Sequence, residues 1–111
     1  MQSLFIDPGM LSHELALEEA IETPDGAGGF TTVWTLVATI WARLEPIDPA
    51  REFWAGRDAA EQTHRVTMRF RTGVKQAMRF RKLTRLFPII AVQDADETGR
   101  YLICRTREES E

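Results

Sequence analysis

The sequence predicts a mainly β fold: a small antiparallel β-barrel with a long N-terminal hairpin and one short helix or long loop between strands. Three observations predict it. The stretch Thr31 to Leu44 is β-branched and aromatic, lacks Gly and Pro, and carries no charge until Arg43. Shorter alternating stretches recur at His64 to Arg71 and Tyr101 to Arg107, with turn formers between them. A chain of 111 residues is one domain that buries one core.

Residues 1–10 read as an N-terminal arm, with Pro8-Gly9 as a turn signal. Such arms are often ordered only by a partner. Leu11 to Glu22 fits two patterns. Leu11, His13, Leu15, Leu17 and Ile21 fall on alternate positions, while the Leu, Ala and Glu content also suits a helix. The following TPDGAGG, with its Asp25-Gly26 pair, favours a strand that turns into a hairpin.

In the long stretch, Trp34, Leu36, Ala38, Ile40, Ala42 and Leu44 form one apolar row, and Val33, Thr35, Val37, Thr39, Trp41 and Arg43 the other. A buried helix is the competing reading, and the Val and Thr density argues against it. A strand of this length spans roughly 40 Å, so it bends across a barrel or projects from it. Pro46 and Pro49 end it. Arg51 to Glu61 then reads as a short helix packed on the barrel, or as a long loop leaving it. Phe53 and Trp54 are adjacent, so one of them is free to meet a partner.

His64, Val66, Met68 and Phe70 form an inner row, with Arg65, Thr67, Arg69 and Arg71 outside. Gln76 to Thr84 and Arg85 to Gln93 read as strand, turn, strand, with Pro88 marking an edge or a bulge. DADETG at 94–99 is a turn that lacks the glutamate of a calcium loop. YLICRTR is the last strand of a domain at 11–107, and residues 108–111 form an acidic tail. Cys104, the one cysteine, lies in that strand as a small core residue.

A net charge of −3 hides two opposite halves. Residues 1–42 hold six acids and no Lys or Arg, and residues 62–93 hold eight bases and no acid. The three outer arginines of the 64–71 strand repel one another unless something answers them. Nucleic-acid phosphate, the acids of the N-terminal half and the acids of a neighbouring copy are the candidates. A barrel whose charges pair internally is the plain alternative.

Catalytic chemistry is scarce. His13 and His64 lie on strand patterns, no serine sits in a nucleophile motif, and no Gly-rich loop has phosphate-cradle spacing. We therefore expect no catalytic residues, no metal site and no cofactor. No eighteen-residue apolar run marks a membrane span, and the N-terminus lacks the features of a signal peptide.

The series Asp25-Gly26-x-Gly28-Gly29-Phe30, Trp41-Ala42-x-Leu44-x-Pro46, Arg51-Glu52, Thr63-His64-x-Val66-Thr67-Met68-Arg69-Phe70, Met78-Arg79 and Ile89-Ile90-x-Val92 resembles the head–tail joining proteins of long-tailed bacteriophages. These head-closure or stopper proteins also occur in gene transfer particles. The likeness runs from about Leu11 to Arg107 and departs after Met78, where FRKLTR replaces a Gly-containing turn.

The resemblance implies a structural protein, not an enzyme, that forms a homo-oligomeric ring, a hexamer or a dodecamer. A portal or adaptor ring would lie on the head side and a tail terminator ring on the tail side. Packaged double-stranded DNA would pass through the channel, with no membrane involved. Such a protein is made in the bacterial cytoplasm and ends in the particle. By position, a channel-closing loop would fall within Pro46 to Gln62, which makes Arg51, Glu52, Phe53, Trp54 and Arg57 candidates for channel or partner contact. Arg65, Arg69 and Arg71, with Glu14, Glu18 and Glu22, are candidates for subunit interfaces or the channel wall. Strongly attractive walls slow DNA passage, which favours protein contacts for the basic row. The alternative is a stand-alone nucleic-acid-binding barrel, which needs a basic surface unmatched by acids and exposed aromatics.

Overall fold

A computed structural model describes residues 6–48 and 62–110. Seven strands form one antiparallel sheet: β1 (His13–Pro24), β2 (Phe30–Pro46), β3 (His64–Arg69), β4 (Arg79–Lys82), β5 (Arg85–Asp94), β6 (Tyr101–Thr106) and β7 (Glu109–Ser110). The order is β4-β1-β2-β3-β6-β5-β7, and β4 also pairs with β5. Six strands therefore close on themselves in a small barrel-like fold, with β7 added on β5. The core is Leu15 and Leu17 from β1, Ala42 from β2, Val66 and Met68 from β3, Phe80 from β4, Phe87 and Ile89 from β5, and Leu102 and Cys104 from β6, with Met78 beside them. Each strand supplies alternate residues, as a half-buried sheet requires.

The ambiguous stretch after Leu11 is strand. β1 pairs with β2 from His13–Ala42 out to Pro24–Phe30. Only Ala16, Leu17 and Glu18 of β1 also pair with β4, and only Ala42 to Pro46 of β2 pair with β3. Beyond Glu18 the hairpin is a two-stranded ribbon that projects about 20 Å, at the strand rise of about 3.3 Å per residue. Its tip is a five-residue loop rather than a two-residue turn. Asp25 Oδ1 accepts hydrogen bonds from the amides of Ala27 (2.8 Å) and Gly29 (3.1 Å). Gly26 and Gly28 take positive φ, which only glycine adopts without strain.

A bulge breaks the apolar row expected along β2. Leu17 faces Ala38 but Glu18 faces Leu36, so Val37 is an extra residue. Ala42 is therefore fully buried, whereas Leu36 on the same count of two is 58% exposed. A second bulge places Ile90 outside the β5–β6 register. Pro88 lies where β5 leaves β7 at Leu86 and joins β6 at Ile89, a point where a missing N–H costs no ladder bond.

Strand β3 is shorter than its alternation suggested. It ends at Arg69, and the Phe70 amide donates to the Arg100 carbonyl (2.8 Å). Phe70, expected on the inner row, is 44% exposed. Thr67, expected outside, is buried. Ile6 and Met10 of the N-terminal segment share a hollow with Arg43, Glu45, Arg65, Thr67 and Ile103, so the described part of the arm lies over this face. Asp7 caps the short 3-10 turn Pro8–Met10 by accepting from the Gly9 amide (2.9 Å).

Candidate interaction surface

The expected site residues divide into three groups. Arg51, Glu52, Phe53, Trp54 and Arg57, with the expected helix or loop that carries them, lie outside the described residues. The second group is paired within the fold. Glu18 accepts from Arg79 Nε at 2.8 Å, and Arg81 Nε lies 3.3 Å from its other oxygen. The Arg79 guanidinium also stacks 3.9 Å from the centre of the Trp34 ring. This cluster exists because β4 sits beside β1, which sets Glu18 opposite Arg79. The Val37 bulge turns Trp34 onto the same side. Arg65 reaches Glu45 at 3.5 Å across the β2–β3 ladder. Internal pairing therefore answers Glu18 and Arg65, two of the six charges proposed for interfaces.

Glu14, Glu22, Arg69 and Arg71 form the third group. All four are exposed, and among the described residues none makes an ion pair. Arg69 and Arg71 border an open pocket of about 250 Å³ with Ile40, Trp41, Met68 and Phe70. It lies where β2 continues past the end of β3. Trp41 is 57% exposed. Alternation in the sequence already set Trp41 on the outer row, but the aromatic pair of Trp41 and Phe70 was not visible there. These two exposed rings beside two arginines have the composition of a candidate contact surface, because desolvated aromatic and Arg side chains supply much of a typical contact's energy.

Another cluster sits around Arg85. Its guanidinium holds Glu108 with two hydrogen bonds (2.7 and 3.2 Å) and lies 5.0 Å from the centre of the Phe87 ring. These bonds hold the Glu108 carboxyl below its ordinary range. His64 stacks edge-on against Phe87 at 5.2 Å, with Nδ1 2.9 Å from the Thr63 hydroxyl. Lys82 Nζ donates to His13 Nδ1 (2.6 Å). Burial lowers the proton affinity of both imidazoles. The Arg85 charge adds to this in each case, Lys82 adds to it at His13, and Glu108 opposes it at His64. Among the described residues no three His, Cys, Asp or Glu side chains gather as metal ligands.

The histidines make stability depend on pH with a definite sign. A histidine whose affinity is lowered on folding contributes fully above its unfolded value, about 6.5, and loses that contribution as pH falls toward the folded value. The urea midpoint is therefore expected to fall between about pH 7 and pH 5. His64→Gln should flatten the fall. An unchanged slope in that variant would show that His64 is not held neutral by the fold.

Comparisons with known proteins agree over nearly the whole chain. A family model described as phage head completion protein matches residues 6–109. A chain in the virion of a native gene transfer agent particle shares 28% identity, with a TM-score of 0.63, over 90% of this chain and 94% of that one. The solution structure of protein SF1141 from Shigella flexneri 2a superposes with a TM-score of 0.76 at 22% identity, over 96% of this chain and 99% of that one, a likeness of fold. No curated protein sequence matches.

Proposed function

The chain belongs to the phage head completion protein family, and on that premise we propose that it forms a ring joining the DNA-filled head to the tail of a virion or phage-like particle. Its place is in the particle, as a structural component associated with other virion proteins. The observation that carries the reading is the family match from residue 6 to residue 109, which takes in both the barrel and the projecting hairpin. In the proposed assembly a portal or adaptor ring lies on one side and a tail terminator ring on the other, with double-stranded DNA passing along the axis. A ring repeats one heterologous contact, so each subunit needs two different surfaces. The acidic hairpin and the Arg69–Arg71 face are two such surfaces.

The test is imaging of particles from a strain lacking the gene. DNA-free or leaking heads beside separate, complete tails are expected. Normal tailed particles would reject the joining role. A second reading, a nucleic-acid-binding barrel, gains one observation: Trp41 and Phe70 are exposed beside two arginines, as in single-strand binders. It requires salt-dependent DNA binding by the isolated chain.

A further inference from the structure

We propose that the pocket between Trp41 and Phe70 seats the hairpin tip of a second copy of this chain. The inference deepens the head–tail reading and rests on it for its setting. The tip is a preformed knob. Asp25 fixes the loop through the Ala27 and Gly29 amides, so little conformational freedom remains to be lost on docking. Phe30 at its side is 67% exposed. Glu22 faces Thr32 and Pro24 faces Phe30, so this acid and this aromatic ring share one side of the ribbon. Glu19, on the other side, adds a second carboxylate with no ion pair among the described residues. The donor surface is thus an aromatic anchor with Glu22 on its own side, on a half-chain without Lys or Arg.

The pocket offers the complement. Ile40 and Met68 give it an apolar floor, Trp41 and Phe70 give it walls, and Arg69 and Arg71 stand at its rim. Opposite charge at the rim with apolar contact at the centre is the usual anatomy of a protein contact. Two arginines alone, with Glu14 paired opposite Trp41, make a short and interrupted track for phosphate, which favours a protein occupant.

The occupant must come from another copy. Trp41 and Phe30 lie on one continuous strand, eleven residues apart with the Val37 bulge between them, which is roughly 33 Å at the strand rise. No chain can fold its own tip back into its own pocket without breaking β2. The contact is therefore head-to-tail, and repetition makes a ring if the rotation closes. The free edge of β2 agrees with a covered surface. From Phe30 to Trp41 it has no strand partner other than β1 among the described residues, and it carries neither a charge nor a proline. Sheets that stay solvent-facing usually guard such an edge.

Cross-linking of the purified chain tests the contact. Thr32 and Thr72 are exposed and lie beside the knob and the pocket without being part of the anchor. Native Cys104 is buried, and burial pushes its thiol up to about 12, so it stays silent toward a maleimide. Mixing Thr32→Cys protein with Thr72→Cys protein and a short bismaleimide is expected to double the mass. A chain carrying both substitutions should give a ladder. Phe30→Ser, or Arg69→Glu with Arg71→Glu, should abolish the product, and added salt should reduce it. Glu22→Arg combined with Arg69→Glu should restore part of it.

The proposal is overturned by tip-to-tip products alone, by no product up to the solubility limit, or by a product indifferent to the Arg69 and Arg71 reversals. An oligonucleotide bound by the native chain and lost in Arg69→Glu, without cross-linking, would assign the pocket to nucleic acid. None of these failures touches the joining role, which the gene-deletion particles test separately.

Discussion

Phe80→Ala is expected to cost about 3–5 kcal/mol, the range for truncating a buried aromatic ring. The side chain is fully buried, facing Leu17 on one neighbour and Phe87 on the other. Strand β4 has four residues and is the piece that closes the sheet between β1 and β5. Loss of the ring therefore removes core volume and loosens the closure together. A domain of this size has a total stability of about 5–15 kcal/mol, so a large share of it disappears. With a urea slope of about 2 kcal/mol per molar, the midpoint should fall by about 2 M. Ile21→Ala, on the exposed ribbon, should change it by less than about 0.5 kcal/mol. If both variants unfolded at the native midpoint, β4 would not close the barrel in solution.

Arg79→Met is expected to be the next most damaging change, at about 3 kcal/mol. The Arg79 and Glu18 side chains are 10% and 12% exposed, so removing the guanidinium leaves a carboxylate largely shut off from water. Arg81 remains near it, which keeps the loss at the lower end of the range for broken buried pairs. Trp34 also loses the cation stacked on its face, a contact worth about 0.5–2 kcal/mol. The decisive comparison is the double change. Glu18→Leu with Arg79→Met should be more stable than Arg79→Met alone, because no unanswered charge is left. Simple addition of the two single losses would show that the residues act independently. The cluster lies where the ribbon leaves the barrel, so the single change should also speed proteolysis of the hairpin.

The head–tail reading and the contact between copies concern different surfaces from these two positions. Arg79 and Glu18 hold the base of the hairpin inside one chain. Arg69, Arg71, Glu22 and Phe30 are exposed, and the proposed contact between copies is placed on them. The charge halves seen along the sequence are thus split between internal pairs and open faces, and only the second kind can serve assembly.

Alternation and turn chemistry by themselves marked the main strands of this protein, but not the end of β3 or the short β7 in the segment expected as an acidic tail. They marked β2 as a long strand, the TPDGAGG turn that makes β1 its partner, Pro88 as an irregular point, and Cys104 as core, because these features are local and recur every two residues or sit at a turn. The family resemblance was legible for the same reason, being an ordered series of short local patterns. Tertiary structure decided the rest. A bulge inserts one residue without any mark in composition, so Val37 moved Trp34 and Leu36 to the face opposite Ala38. Strand β3 stopped at Arg69, which released Phe70 from the alternation and built the aromatic pocket. Thr67 became buried because the segment around Ile6 and Met10 crosses its face. The fate of each charge was also tertiary: Glu18 meets Arg79 across 61 positions of sequence because β4 neighbours β1, and strand order is set by closure of the barrel, which no single stretch of the chain encodes.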